Sequence, residues 1–222
     1  MKTLRTPILT ALGAAALLIL SSPAPAEFAT VQLRATDDAY VDSAYPDANY
    51  GASLNTYIGD RASQLGGTCL SFYQFDITEV PYNAEITNAE LWLCKHEKYG
   101  TPEQTFTVDV HLVTSPGWDE NAVTWNAPPA YYHLPTASTT GTFNPPGWAT
   151  WNVTPDVAGT RPFGVLVGWA VKMNPLPQWA WLNFYTGEHV PMPDYRPMLE
   201  ITYNTIVAAE PSSWSRVKTL FR

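Results

Sequence analysis

The sequence predicts an all-β protein, an antiparallel two-sheet jelly-roll sandwich with a short C-terminal helical tail. Three observations carry that expectation: apolar and polar residues alternate with a period of two, helical periodicity is poor, and 20 prolines and 13 glycines punctuate the chain, as happens where turns join short strands. The alternating stretches are Thr30 to Arg34, Leu54 to Gly59, Leu70 to Asp76, Glu90 to Lys95, Thr105 to Val113, Gly164 to Lys172, Trp179 to Thr186 and Met198 to Tyr203. In the clearest of them Phe106, Val108, Val110 and Leu112 read as a core face, and Thr107, Asp109, His111 and Val113 as a wet one. Tyr40-Val41, Val123 to Trp125 and Thr150 to Val153 bring the total to about ten or eleven strands, enough for two packed sheets. Thr154 to Ala158 reads as one helical turn, with Thr154 at the N-cap and Pro155 in the first helical position.

The two ends differ from this body. Residues 1–26 read as a signal peptide: Lys2 and Arg5 precede an apolar run from Ile8 to Leu20, and Ala24-Pro25-Ala26 supplies a small-x-small cleavage site. That run is shorter than the roughly 20 residues needed to cross a bilayer, so the expectation is a secreted, extracellular or cell-surface protein with no transmembrane span after cleavage. Residues 27–203 then form one domain with no visible internal repeat, and residues 204–222 a linker and tail. In the tail Trp214, Val217, Leu220 and Phe221 recur at helical spacing among Arg216, Lys218 and Arg222. A basic amphipathic segment of this kind suits an envelope or sorting partner, a membrane surface, or self-assembly with a neighbouring copy.

Charge and motifs narrow the function. Asp and Glu outnumber Lys and Arg 20 to 12, and the body has no basic stripe of the kind phosphate contacts need, so nucleic acid is not an expected partner. The same acidity works against purely electrostatic capture of polyuronates unless a metal ion or a local Arg or Lys intervenes. Catalysis needs a matched acid and base or an activated nucleophile. The four histidines are scattered and neither Gly-x-Ser-x-Gly nor His-Glu-x-x-His occurs. Asp119 and Glu120 are adjacent, so on a strand they would point to opposite faces rather than flank one glycosidic bond. The chain is therefore expected not to be an enzyme.

Six blocks in order along the chain carry a family likeness: ATDDAYVDSAYPDANYG from Ala35, LNTYIGDR from Leu54, FYQFDITEVPYNAEITNAELWL from Phe72, WDENAVTWNAPP from Trp118, WATWNVTPDVAG from Trp148 and RPMLEITY from Arg196. Together they resemble the DNRLRE domain family, named after disaggregatase-related proteins. The resemblance implies a β-sandwich that serves as a non-catalytic module of secreted proteins, with relatives that look like carbohydrate-binding modules. The expected partner is a polysaccharide or cell-surface glycan. The competing expectation is a structural subunit of an extracellular filament or envelope layer, assembled through the tail.

Site residues follow as expectations. Trp118 and Trp125 read as scaffold, with Asp119, Glu120 or Asn121 capping the turn between them. Sugar-stacking candidates are Trp179, Trp181, Tyr185, Tyr131 and Tyr132, with Trp148 and Trp169 beside them. Trp179 and Trp181 share a strand face, yet Ala180, Leu182 and Phe184 on the other face are apolar too, so one of the two must be exposed or covered by a loop. Hard oxygen ligands are dense near Asp37, Asp38, Asp42 and Asp60, as calcium requires, although turn capping uses the same residues. The family likeness points for that calcium to Asp38, Asp60 and Glu188. It also places the strands of Cys69 and Cys94 side by side, where an oxidising compartment allows a disulfide; two buried free thiols are the alternative.

Overall fold

The computed structural model describes residues 27–205 apart from positions 65 and 146. The expected signal peptide and the tail residues Trp214, Val217, Leu220 and Phe221 lie outside the described residues.

Eleven strands form: β1 (Glu27–Arg34), β2 (Asp37–Asp42), β3 (Asn55–Asp60), β4 (Thr68–Asp76), β5 (Glu85–Tyr99), β6 (Phe106–Leu112), β7 (Ala137–Gly141), β8 (Gly147–Asn152), β9 (Leu166–Met173), β10 (Trp181–Tyr185) and β11 (Met198–Thr205), with one helix, α1 (Thr154–Thr160), before β9. All pairings are antiparallel. The sheet runs β1-β11-β5-β10-β3-β4-β9-β6-β7, with β2 branching from β4 and β8 from β5. The all-β antiparallel expectation holds, but the hydrogen bonds draw one continuous curled sheet rather than two separate ones. Its cause is the 15-residue β5. Its first part pairs with β11 and β8, and its last residues, Lys95 to Tyr99, pair with β10 across a bulge, so one strand serves both halves. The curl also brings β7 near β8, where Thr139 Oγ1 donates to Thr150 O.

The main core lies inside this curl. Leu91 and Leu93 of β5, Tyr73 and Phe75 of β4, Trp169 of β9, Trp151 of β8, and Leu182 and Phe184 of β10 meet there, and Val157 of α1 packs onto them. Indole N–H groups in a core need partners: Trp151 Nε1 donates to Val108 O at 3.0 Å and Trp169 Nε1 to Asp156 Oδ2 at 2.7 Å. A second, smaller core joins Ala39, Val41, Phe72 and Ala170 to the segment 113–131, whose Val123, Trp118, Trp125 and Tyr131 cover it. Asn49 Nδ2 ties that segment down by donating to Glu120 O and Val123 O, while Asp119 Oδ1 caps its turn through the Asn121 amide.

Several expectations change on physical grounds. The Val123 to Trp125 stretch forms no strand, only an isolated bridge between Thr124 and Ala127, because its side chains serve as a plug rather than a ladder. Asp109 and His111 are buried rather than wet: Asp109 accepts from Ser138 Oγ and Asn174 Nδ2, and His111 Nδ1 bonds Tyr132 O. Thr154 does not cap α1. Its hydroxyl accepts the Ala89 amide at 2.8 Å, and Val153 occupies the cap position with no side-chain bond. Cys69 and Cys94 are free thiols. Their strands, β4 and β5, are not neighbours, since β3 and β10 lie between them. Three strand spacings of nearly 5 Å give about 14 Å along the sheet, twice the Cα separation that a disulfide spans.

Replacing Trp151 with Ala should lower unfolding free energy by about 3–5 kcal/mol, the range for large aromatic truncations in a core. Urea denaturation followed by tryptophan fluorescence and circular dichroism checks this, and a loss below about 1 kcal/mol would show that β8 is not anchored through this ring.

Candidate functional site

Strand β10 is buried along its whole length. Leu182 and Phe184 enter the main core, which leaves Trp181, Asn183 and Tyr185 on the opposite face. Rings from other elements cover that face. Tyr57 of β3 meets the Trp181 ring edge-on at 5.5 Å, and Tyr99 of β5 stacks near it at 5.9 Å and 9°. Beyond Tyr57 come Tyr40 at 5.1 Å and then Tyr50, stacked on Tyr40 at 4.3 Å. At the other end of β10, His96, His189 and Tyr195 surround Tyr185 at 4.8, 4.6 and 5.4 Å. Tyr195 leads on to Trp148 at 6.5 Å, and Trp148 to Trp92 at 6.2 Å. One strip of rings thus runs from Tyr50 to Trp92, with Asn183 at its middle.

The strip is partly open. Tyr99 is 42% and Tyr195 37% exposed, whereas Trp181 and Tyr185 are nearly buried at 4% and 7%. Trp179, 59% exposed, stands at its margin in the turn before β10. The expected shared face of Trp179 and Trp181 is corrected here: the strand begins only at Trp181, because Trp179 has φ +54°, a left-handed conformation that interrupts a strand. Asp60 holds that turn, accepting the Trp179 amide at 2.9 Å with one oxygen and the Ala62 amide at 2.9 Å with the other.

Polar groups are interleaved with the rings. The Arg61 guanidinium sits 3.9 Å over the Tyr57 ring and 3.8 Å from Asp42 Oδ2. Asn183 Oδ1 accepts the Glu97 amide. Arg61 Nε, Trp92 Nε1, His96 Nδ1, Trp181 Nε1, Asn183 Nδ2 and His189 Nδ1 have no protein partner. Buried polar groups are almost always bonded; unpartnered ones also occur away from the strip, at His111 Nε2, Trp118 Nε1 and Asn204 Oδ1. Beside Trp148 opens a cleft of about 220 Å³ lined by Lys95, Thr139, Phe143 and Thr150. Burial lowers the pKa of Lys95, whose ammonium lies 5.8 Å from the Phe143 ring centre.

The other expected residues lie elsewhere. Tyr131 belongs to the second core, against Phe72 and His111. Tyr132 is exposed beside a different, apolar cleft with Phe163 and Leu166. Trp169 is wholly buried in the main core. Of the expected calcium ligands, Asp60 is committed to its turn, while Asp38 and Glu188 are associated, with Glu120 joining them. Among the described residues no three His, Cys, Asp or Glu side chains stand in a ready metal cage. Donors of the right chemistry are nevertheless present, since Asp38 Oδ1, Glu188 Oε2 and Asn55 Oδ1 are buried oxygens with no partner. Sequence reasoning missed Tyr57, Tyr99, Arg61, Trp92, His96 and Tyr195. A usable signal existed for Trp92, which lies between Leu91 and Leu93 just as Trp181 precedes Leu182: apolar residues on both faces of a strand.

The family model of carbohydrate-binding module family 96 matches residues 29–174. The chain belongs to this family. The matched span of the module includes Tyr57, Arg61, Trp92, Tyr99 and Trp148, while β10 and β11 follow it. Among similar proteins, a gellan lyase of a Bacillus species is 35% identical over 104 residues, 46% of this chain and 4% of the lyase. The tRNA3(Ser)-specific nuclease WapA of Bacillus spizizenii is 25% identical over 82% of this chain and 8% of its own length. The tRNA nuclease WapA of Bacillus subtilis is 26% identical over 78% of this chain and 8% of its own. The chain therefore spans less than a tenth of these relatives.

Burial pushes the Cys69 thiol up to about 12, and the nearby Asp42 carboxylate pushes the same way. Burial likewise raises Tyr40, Tyr73 and Tyr185. Ellman's reagent should leave Cys69 unlabelled at pH 8 until the protein is denatured; rapid native labelling would contradict its burial. The unfolded chain releases the thiol proton near 9.0 and the folded chain only near 12, so the folded state holds more protons in between. The urea midpoint should thus fall as pH rises through that window.

Proposed function

We propose that this chain is a secreted, non-catalytic binding module that holds a polysaccharide or cell-surface glycan along the aromatic strip, for adhesion at the cell surface or in the surrounding matrix. The strip itself carries the reading. Flat rings offer stacking faces to the apolar faces of sugar rings, and the interleaved Arg61, His96 and His189 offer hydrogen-bonding groups for hydroxyls, the combination of apolar walls and a few placed polar groups that ligand sites use. Arg61 and Lys95 are local cations in an otherwise acidic chain, so carboxylated sugars are admissible as well as neutral ones. The relatives support the non-catalytic half of the reading: a lyase and tRNA nucleases carry a similar segment, which makes up only a few per cent of each. On this reading the DNRLRE likeness and the carbohydrate-binding family describe one scaffold, a jelly roll whose two layers share β5.

Isothermal titration and affinity electrophoresis against a panel of neutral and acidic polysaccharides test the proposal. Tyr99→Ala and Trp179→Ala should each keep the melting temperature and weaken binding at least about tenfold, or roughly 1.4 kcal/mol. Trp181→Ala, at a nearly buried ring, should instead destabilise the domain by about 3–5 kcal/mol. Failure of the native protein to bind any polysaccharide, or unchanged binding by both exposed-ring variants, sinks the assignment.

A further inference from the structure

The sheet edge at β1 is bare. This strand reads EFATVQLR, and its eight residues pair with β11 in one unbroken register. Among the described residues no strand pairs with its other side. Exposed edges are ordinarily blunted by shortness, Pro, Lys or a bulge, and β1 has none of these. At the opposite end of the sheet β7 is only five residues long, and its Thr139 turns to β8. The β1–β11 ladder fixes which main-chain groups stay unused. Ala35 N donates to Pro197 O, the rung after Arg34 and Met198, so the odd-numbered residues of β1 bond to β11. The alternate residues of an antiparallel strand point their N–H and C=O groups away from that neighbour, so Phe28, Thr30, Gln32 and Arg34 aim theirs outward. Thr36, next in phase, already gives its amide to Gln74 O. The same four residues are exposed, Phe28 by 65%, whereas Leu33 packs into the main core.

We propose that β1 pairs antiparallel with β1 of a second copy, joining two sheets into one across a two-fold axis beside Val31. Symmetry sets the register. For both copies to keep their core faces on one side, even-numbered residues must oppose even-numbered ones. The even register that uses all four outward residues sets Phe28 against the partner's Arg34 and Thr30 against the partner's Gln32, with Val31 facing its own equivalent. Charge favours this arrangement. Each Arg34 guanidinium would lie over the exposed ring of the partner's Phe28, a cation–π contact made twice by symmetry. Asn204 and then Glu85 follow Phe28 across the sheet, joined by a bond from Asn204 Nδ2 to Glu85 Oε2, so the cationic end of one strand meets the acidic end of the other. A cleft of about 380 Å³ lined by Gln32, Arg34, Thr36, Asp76 and Glu79 leaves room at the Arg34 end for the arriving strand. Trp92 lies on the same outer face, because Arg34 pairs with Met198 and Met198 with Trp92. The two-fold axis therefore turns both aromatic strips the same way. Resting on the carbohydrate reading, a pair of copies would hold one polysaccharide at two places and gain avidity without a new contact to it.

Association is measured without a glycan, so its failure and that of the carbohydrate reading are separable. Sedimentation equilibrium of the full chain should show a reversible monomer–dimer equilibrium. Thr30→Pro removes one outward N–H and no main-chain bond to β11, so it should give monomers while the melting temperature holds. Phe28→Arg, at an exposed position, sets like charges face to face and should weaken the dimer at least about tenfold; it gives a second reading should Thr30→Pro fail to fold. Val31→Cys should close an intermolecular disulfide under mild oxidation, because directly opposed residues of a non-hydrogen-bonded pair have Cα atoms about 4.5 Å apart, within disulfide reach. Thr30→Cys, set against the partner's Gln32, should not. A native chain that stays monomeric at its highest soluble concentration, a dimer unmoved by both Thr30→Pro and Phe28→Arg, or cross-linking by Thr30→Cys in place of Val31→Cys overturns the pairing.

Discussion

Strand β10 must satisfy two apolar faces at once. Leu182 and Phe184 reach the main core on one side, while Trp181 and Tyr185 on the other need cover that a sheet open to water does not provide. That cover comes from wherever the topology can reach: Tyr57 from β3, Tyr99 from the far end of β5, Tyr195 from the turn before β11, His189 from the turn after β10 itself. The arrangement holds only because β5 is long enough to pair with β11 and β8 at one end and with β10 at the other. Continuity of the sheet and the aromatic strip are thus two results of one requirement, which is to bury a strand of five successive large or amide-bearing side chains.

Most of the strand positions were legible in the sequence because period-two alternation survives wherever one face is wet. It misled where both faces are buried. In β6 the second face carries Asp109 and His111, whose polarity reads as solvent exposure, yet both are interior, where Ser138 and Asn174 donate to Asp109 and the Tyr132 carbonyl pairs with His111 Nδ1. β7, with Ser138, Thr139 and Thr140, has too little apolar contrast to register at all. The strip was only half legible. Trp181 and Tyr185 stood out through the conflict between their face and that of Leu182 and Phe184, but their partners come from four other segments, and no local pattern encodes a contact between Tyr57 and Trp181. Trp179 looked like a strand residue because only its backbone, in a left-handed turn pinned by Asp60, shows otherwise.

The same distinction separates the acidic residues. Asp60, Asp76 and Asp119 accept amides two residues on, the local economy that turn composition foretells. Asp42 does this too, but its carboxylate also accepts the Gly67 amide and faces Arg61, so a turn residue becomes part of the wall behind Tyr40 and Tyr57. Asp156 leaves its helix to accept the Trp169 indole. An acidic composition here is not a uniform coat of charge: several of these groups hold loops against a β scaffold, which is why net charge says more about excluded partners than about the included one.

Pairing of β1 with β11 places Glu27 opposite Thr205, so the described domain starts and finishes at neighbouring points on one edge. A force pulling those two points apart would load the β1–β11 ladder as a fork, opening one hydrogen bond at a time instead of shearing all of them together. Such a geometry yields at low force and closes again readily. Held in a longer chain under tension, the domain would act as a soft extensible link, releasing β1 while the aromatic strip, anchored on the inner strands, stayed assembled.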